Sequence, residues 1–217
     1  MDFDAARFNM VEQQIRPWDV LDDRVLNAVV TTPRELFVPE NSSRLAFADV
    51  DIPIGHNEVM MSPKLEARLL QALGVQEDDI VLEVGTGSGY VTALLAQLAK
   101  HVYSVDIYAD FTAEARDKLA NRGIKNVTFE TGDASKGWAQ NGPYDAIFIS
   151  GSLPALPPEF QNSLKIGGRL VAIVGQEPIM EAIVITRLGE SAWGQESLFE
   201  TILPPLRNAE TPKTFDF

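Results

Sequence analysis

Residues 81–90 read VLEVGTGSGY: an apolar run, an acid, then glycines at positions 85, 87 and 89. Glycines at alternate positions give a backbone that takes positive φ and approaches a ligand with no Cβ in the way. Such a turn suits a phosphate or a nucleoside, and the spacing separates the two. A dinucleotide fingerprint runs G-x-G-x-x-G, but GTGSGY brings its third glycine one position early and has Tyr90 where glycine or alanine belongs. No Gly-Lys-Ser/Thr follows, so the turn is not a P-loop either. Glu83, just ahead of the glycines, would repel a pyrophosphate and attract a cation such as a sulfonium amino acid.

Other acids follow in register. VYSVDI carries Asp106, about 20 residues on, where an acid accepts from a ribose diol. TGDA offers Gly132 and Asp133 to an adenine edge, and YDAIFIS ends in Ser150. Three carboxylates and one glycine turn therefore outline a site for adenosine with a positively charged amino-acid arm, which is S-adenosylmethionine. Asp145 falls outside this set, because it starts its strand at the end away from the crevice.

The elements that must hold these residues are strands expected at 80–84, 101–106, 127–131, 146–150 and 169–174, with helices at 90–99, 109–122 and 158–164 between them. Ser62 and Pro63 open a further helix that Gly74 closes, with Ser62 as its N-cap. Alternation of apolar strands and helices predicts an α/β fold, a doubly wound, mostly parallel sheet covered on both faces. In such a sheet ligands lie beyond the carboxyl ends of the strands, where VLEVGTGSGY sits. Strands at 182–187 and 198–203 suggest an antiparallel edge. Ahead of the sheet, AARFNMVEQQI has helical spacing capped by Asp2 or Asp4. A second helix runs from 21–23 to 30, and PRELFVP makes a short helical turn packed by Leu36 and Phe37. The partition is one domain over 1–217: an N-terminal helical extension and acceptor loop at 1–61, a core at 62–204, and a weakly ordered tail at 205–217.

Composition narrows the function. With 217 residues the chain buries a full core, and 45% hydrophobic with 23% charged residues is ordinary for a soluble domain. No apolar run is long enough to span a bilayer, and MDFDAARFNM lacks the pattern of a secretory signal, so the expectation is a cytoplasmic protein with no membrane partner. The absence of cysteine excludes disulfides and thiolate chemistry. A net charge of -13 argues against nucleic acid as a partner. His56 and His101 stand alone, so no metal site is expected, and His56 reads as a surface residue. Oligomeric state is not readable.

Over nearly its whole length the sequence resembles the protein-L-isoaspartate O-methyltransferases, within the Rossmann-like class I S-adenosylmethionine-dependent methyltransferases. The resemblance is carried by MVEQQIRPWDVLDDRVLNAV, PRELFVPE, VLEVGTGSGY, GDASKGWAQNGPYDAIFIS and LKIGGRLVAIVG. It implies a seven-stranded sheet with an antiparallel edge strand. It also implies methyl esterification of the free carboxylate of isoaspartyl residues in damaged proteins or peptides. The expected donor set is Met61, Glu83, Gly85, Thr86, Gly87, Asp106, Ile107, Gly132, Asp133, Ala134 and Ser150. The family's Thr-Ile-Ser-x-Pro loop, whose serine lies by donor and acceptor, is replaced: anchored on Pro63, Val59, Met60 and Met61 take the Thr-Ile-Ser positions. A thioether cannot donate a hydrogen bond. Ser62, one position late, is the remaining candidate for the catalytic hydroxyl as well as the helix cap. Arg207 likewise stands where the family has a hydroxyl residue, and Gly151 and Ser152 where it has alanines. Two rival readings follow: methyl transfer to another acceptor, a small molecule included, or a homologue that binds S-adenosylmethionine without turnover.

Overall fold

The computed structural model describes residues 2–211. Residues 212–217 of the expected tail lie outside the described residues. Helix α1 (Phe3–Met10) starts where the Asp2 carboxylate accepts from the Ala5 N–H at 3.0 Å, and it continues through a π turn at Val11–Ile15. Helix α2 (Asp23–Thr31) is capped in the same way by Asp22, which accepts from the Arg24 N–H. The turn Arg34–Leu36 is a 3-10 helix in which Phe37, not Leu36, is buried: Phe37 is 1% exposed and Leu36 55%.

Strands β1 (Ile52–Gly55) and β2 (Glu58–Met60) then form a hairpin where the sequence predicts an acceptor loop. Its turn rests on His56 and Asn57, both at positive φ. Such a turn in two non-glycine residues gives a weak signal, because glycine is the usual marker of positive φ. Helix α3 (Pro63–Leu73) follows, with Pro63 in its first turn and Gly74 in the left-handed conformation at its end.

The main sheet comprises β3 (Ile80–Val84), β4 (His101–Asp106), β5 (Val127–Thr131), β6 (Tyr144–Leu153), β7 (Leu164–Gln176), β8 (Ile179–Gly189) and β9 (Ala192–Glu200). Helices α4 (Tyr90–Leu98), α5 (Ala109–Ala120) and α6 (Pro158–Asn162) connect the parallel strands. The spatial order is β5-β4-β3-β6-β7-β8-β9, parallel except for β8, which runs antiparallel to both neighbours. The chain winds outward from β3 to β4 and β5, then returns to place β6 on the other flank of β3. The crevice at this reversal is where an open α/β sheet binds ligands.

Side chains alternate across the sheet, so two cores form. Val81, Val102, Phe148 and Val171 belong to the core shared with α3, α4 and the N-terminal helices, while Leu82, Ile147 and Leu170 pack with Phe160 of α6. The last strand corrects the expected 198–203: β9 ends at Glu200, because it is the return arm of a hairpin with β8, pairing Ala182 with Phe199 and Arg187 with Trp193. The polar residues of AWGQESLFE hide that arm from an apolar periodicity. Leu203, expected in the strand, is buried beyond it. No helix of the described residues is long and apolar enough to cross a membrane, and among them no group of three or more His, Cys, Asp or Glu could hold a metal ion.

Candidate active site

The glycine turn leaves β3 with Gly85 at φ 92°, and the Gly85 N–H donates to the Val105 carbonyl at 2.8 Å. A Cβ at Gly85 would come within 3.1 Å of the Ser150 Cβ, so β3 and β6 approach closely at their ends. Gly89 serves packing rather than a ligand: a Cβ there would meet the Ala115 Cβ at 2.7 Å, and its absence lets α4 start against α5. One strand over, Asp106 pins the turn. Its Oδ2 accepts from the Gly87 N–H and its Oδ1 from the Tyr108 N–H, both at 2.9 Å. Burial pushes the Asp106 carboxyl above its usual value, against the pull of these two N–H donors. Each oxygen keeps a further lone pair for a diol.

At the end of β5, Asp133 is exposed. Burial of its carboxyl works against ionisation, but donation from the Ser135 N–H and the Asn208 amide outweighs it and holds the group below the usual range. Together these strand ends floor a cleft of about 700 Å³ of non-atom space that is partly open to solvent. Eight expected donor residues line it: Gly85, Gly87, Asp106, Ile107, Gly132, Asp133, Ala134 and Ser150. A smaller recess of about 290 Å³ adjoins it through Gly85, Gly87 and Ser150, and is walled by Met60, Met61 and Glu66. Met61 and Thr86 line this recess and not the cleft.

Two expected residues line neither space. Glu83 is fully buried beneath the turn, because strand alternation turns its side chain toward α4 and β4. Its Oε2 accepts from the hydroxyls of Thr92 at 2.6 Å and Ser104 at 2.5 Å, while Oε1 has no partner. Burial raises this carboxyl to about 8, with the two hydroxyls pulling the other way. Direct exposure of Glu83 to a ligand is therefore corrected to a position one layer below the turn. Ser62 is likewise corrected. It sits at the N-cap of α3, but its side chain makes no cap bond, and its backbone N–H donates to Asp51 at 3.0 Å. The helix start draws Ser62 away from both cavities, so it brings no hydroxyl to the cleft.

Sequence reasoning missed how the opposite wall is assembled. Arg34, fully buried, donates to the Ala46 and Met61 carbonyls at 2.8 and 2.5 Å, pairs with Glu66, and lies 4.6 Å from the Tyr90 ring centroid. Burial raises the Glu66 carboxyl to about 7, opposed by the Arg34 charge. Arg34 thus fixes the loop bearing Met60 and Met61 from underneath. PRELFVP contained this arginine, but nothing in the local pattern revealed partners 12 to 32 residues away. His56, half exposed, stacks on Tyr108 with ring centroids 4.0 Å apart and bonds to Asp110.

The tail also departs from expectation, since residues 203–208 form a roof. The Ser152 N–H donates to the Pro204 carbonyl at 3.0 Å, and the Leu206 N–H donates to the Ser152 carbonyl at 2.9 Å. Arg207 donates to Glu58 and to the His56 carbonyl, both at 2.7 Å, and Asn208 donates to Asp133 at 2.8 Å. A signal was present in ETILPPLRN, where two prolines favour an extended run. As expected, Asp145 is structural: it accepts from the Ile80 N–H and pairs with Lys165 at the far end of the sheet.

The family model described as protein-L-isoaspartate(D-aspartate) O-methyltransferase matches residues 6–211. The chain belongs to this family. A protein-L-isoaspartate O-methyltransferase of Rhodopseudomonas palustris is 41% identical over 202 residues, covering 93% of each chain. One from Petrotoga mobilis is 38% identical, covering 87% of this chain and 89% of its own. A Plasmodium falciparum structure, described as a beta-aspartate methyltransferase in complex with S-adenosyl-L-homocysteine, superposes with a TM-score of 0.80 over 95% of this chain and 99% of its own. At 18% identity it bears on the fold. The resemblance drawn from the sequence and the seven-stranded Rossmann-like architecture of this isoaspartyl methyltransferase family member agree with these matches.

Proposed function

We propose that the protein is an S-adenosylmethionine-dependent carboxyl O-methyltransferase acting on isoaspartyl residues of damaged proteins or peptides. The observation that carries this reading is the alignment of the glycine turn, Asp106 and Asp133 at the ends of three adjacent parallel strands in one cleft. The residues fit the donor: Gly85 and Gly87 present no Cβ to it, Asp106 has lone pairs left, and the Glu83 Oε1 stands without a partner beneath the turn. In this reading Gly132, Asp133 and Ala134 border the adenine, Asp106 and Ile107 the ribose, and Gly85 and Gly87 the amino-acid arm. Met61 and Thr86 wall the recess beside them. The chain works as one domain, with 1–61 and the tail contributing walls to the core at 62–204. A cytoplasmic address rests on the sequence alone.

The donor supplies a methyl group on a positively charged sulfur; carboxylate attack breaks the carbon–sulfur bond, and its electron pair stays on sulfur as a neutral thioether. No proton moves, because a carboxylate is already ionised near neutral pH. The protein therefore needs no general base. Its part is to align the acceptor oxygen and to exclude water, which the roof at 203–208 and the apolar methionines do. Methyl transfer to an isoaspartyl peptide, with the matching aspartyl peptide as control, is the test: turnover of the first alone supports the reading, and absence of turnover sinks it. The methionine-lined recess favours one second reading, an apolar acceptor, which the same assay excludes if small apolar carboxylates remain unmethylated.

A further inference from the structure

The order of strand ends along the sheet is β5, β4, β3, β6, spaced by about 4.8 Å per strand. On the reading above, adenine lies by Asp133 on the β5 side, ribose by Asp106 on β4, and the amino-acid arm by Gly85 after β3. A donor laid across the strands in that sense carries its sulfonium, the atom that joins ribose to the amino-acid arm, between β4 and β3, and β6 is the next strand on the far side of β3. The residue that β6 offers there is Ser150. It lines both the donor cleft and the methionine-walled recess, and its Cβ faces Gly85 across the closest approach of the two strands.

The Ser150 hydroxyl is out of contact with water and has no hydrogen-bond partner in the protein. A buried hydroxyl left unpaired is costly, and such a group in a native fold calls for a partner to complete it. Of the two hydroxyls on the β3 turn, Thr86 is engaged with Ser104 at 2.6 Å and Ser88 accepts from the Tyr90 N–H at 3.3 Å, while Met60 and Met61 have none to give. Ser62 lines neither cavity. The acceptor loop has thus lost its donor, while an idle donor stands on the wall facing that loop.

We propose that Ser150 takes the place of the missing loop hydroxyl, donating a hydrogen bond to the carboxylate of the isoaspartyl acceptor and holding one oxygen in line with the sulfonium methyl. The hydroxyl of the sequence-predicted donor set is then reassigned from donor to acceptor. This assignment rests on the isoaspartyl reading above. No atom is exchanged through Ser150: it binds and orients, and its proton stays on its own oxygen.

Calorimetry on the whole protein tests this through binding as well as turnover. Three titrations are compared for wild type, Ser150→Ala and Ser150→Thr: S-adenosylhomocysteine alone, then an isoaspartyl peptide and its aspartyl control into the S-adenosylhomocysteine complex. Ser150→Ala is expected to weaken isoaspartyl peptide binding at least tenfold and raise KM in proportion, as loss of a hydrogen bond to a charged group does. Its affinity for S-adenosylhomocysteine should stay within about twofold, and Ser150→Thr, which keeps the hydroxyl, should stay near wild type. Adding Met61→Ser to Ser150→Ala should restore part of the loss. Wild-type peptide affinity in Ser150→Ala overturns the proposal, and so does an equal loss of S-adenosylhomocysteine, which would make Ser150 a donor residue. A wild-type protein that neither binds nor methylates the isoaspartyl peptide removes the functional reading itself, and this inference with it.

Discussion

One wall of the cleft comes from the ends of three neighbouring parallel strands, with Gly85, Asp106 and Asp133 each set one strand apart. The wall opposite has no such common source. It joins a hairpin at 52–60, a loop held by the buried Arg34, and a strap at 203–208 whose Arg207 reaches Glu58 across 149 positions. The first wall is a property of the sheet and tolerates little change, because moving one strand end moves its neighbours. Sites grafted on a common fold vary in their loops, and here the loop side is the one where the sequence resemblance leads one to expect departures from the family pattern.

If the walls are independent in this way, damage to either should leave a distinct signature. Arg34→Ala should have the largest effect. It strips Glu66 of its partner and leaves the Ala46 and Met61 carbonyls unpaired, and breaking a buried pair costs about 3–5 kcal/mol. Urea unfolding should therefore show a large fall in stability, and a change confined to peptide binding would contradict the role given to Arg34.

Glu83→Gln comes next and concerns the floor alone. The Glu83 carboxyl rises from 4.5 to about 8 on folding, so the folded state holds its proton more tightly than the unfolded chain. That contribution is full below pH 4.5 and is lost as pH rises through 8, on the order of a few kcal/mol at most. The variant should accordingly lose stability less steeply than wild type across this window, as read by thermal unfolding at stepped pH. Equal slopes would mean that Glu83 stays ionised in the fold.

Asp106→Ala unpins the Gly87 and Tyr108 N–H groups and should weaken S-adenosylhomocysteine binding about 10- to 100-fold, with the isoaspartyl peptide affected only through the donor. Calorimetry decides this, and an unchanged donor affinity would break the contrast between the walls. Arg207→Ala should have the smallest effect: exposed pairs contribute little to stability, so the unfolding midpoint should hold while S-adenosylhomocysteine dissociates about two- to fivefold faster. Stopped-flow release measures that rate.

The same contrast explains what could be read from sequence. β3, β4 and β5 fall at their expected bounds because buried parallel strands are short apolar runs ended by turn residues. The placement of Gly85, Asp106 and Asp133 along one cleft was legible because it depends on local position in those runs. β9 was misplaced since a half-exposed hairpin arm has polar residues on one face, and the β1–β2 hairpin was missed because His56 and Asn57 carry its turn. Glu83 was legible as an acid at the right place but not as a buried one, since that depends on Thr92 and Ser104 meeting it from other elements. The clamp of Arg34, the roof and the idle hydroxyl of Ser150 are products of long-range contact, on which a single sequence is silent.

The strap over the cleft is fastened unevenly. Its root at Pro204–Leu206 is bonded to Ser152 by backbone groups that act as an extra strand, whereas its tip at Arg207 and Asn208 is held by exposed polar contacts to Glu58, the His56 carbonyl and Asp133. Backbone bonds of the first kind are indifferent to dissolved ions, but exposed charge pairs are weakened as the Debye length shortens to about 8 Å at 0.15 M. Ionic strength therefore acts on one end of the strap and not on the other, so release of the nucleoside from the cleft is expected to quicken with added salt while the root beside β6 stays in place.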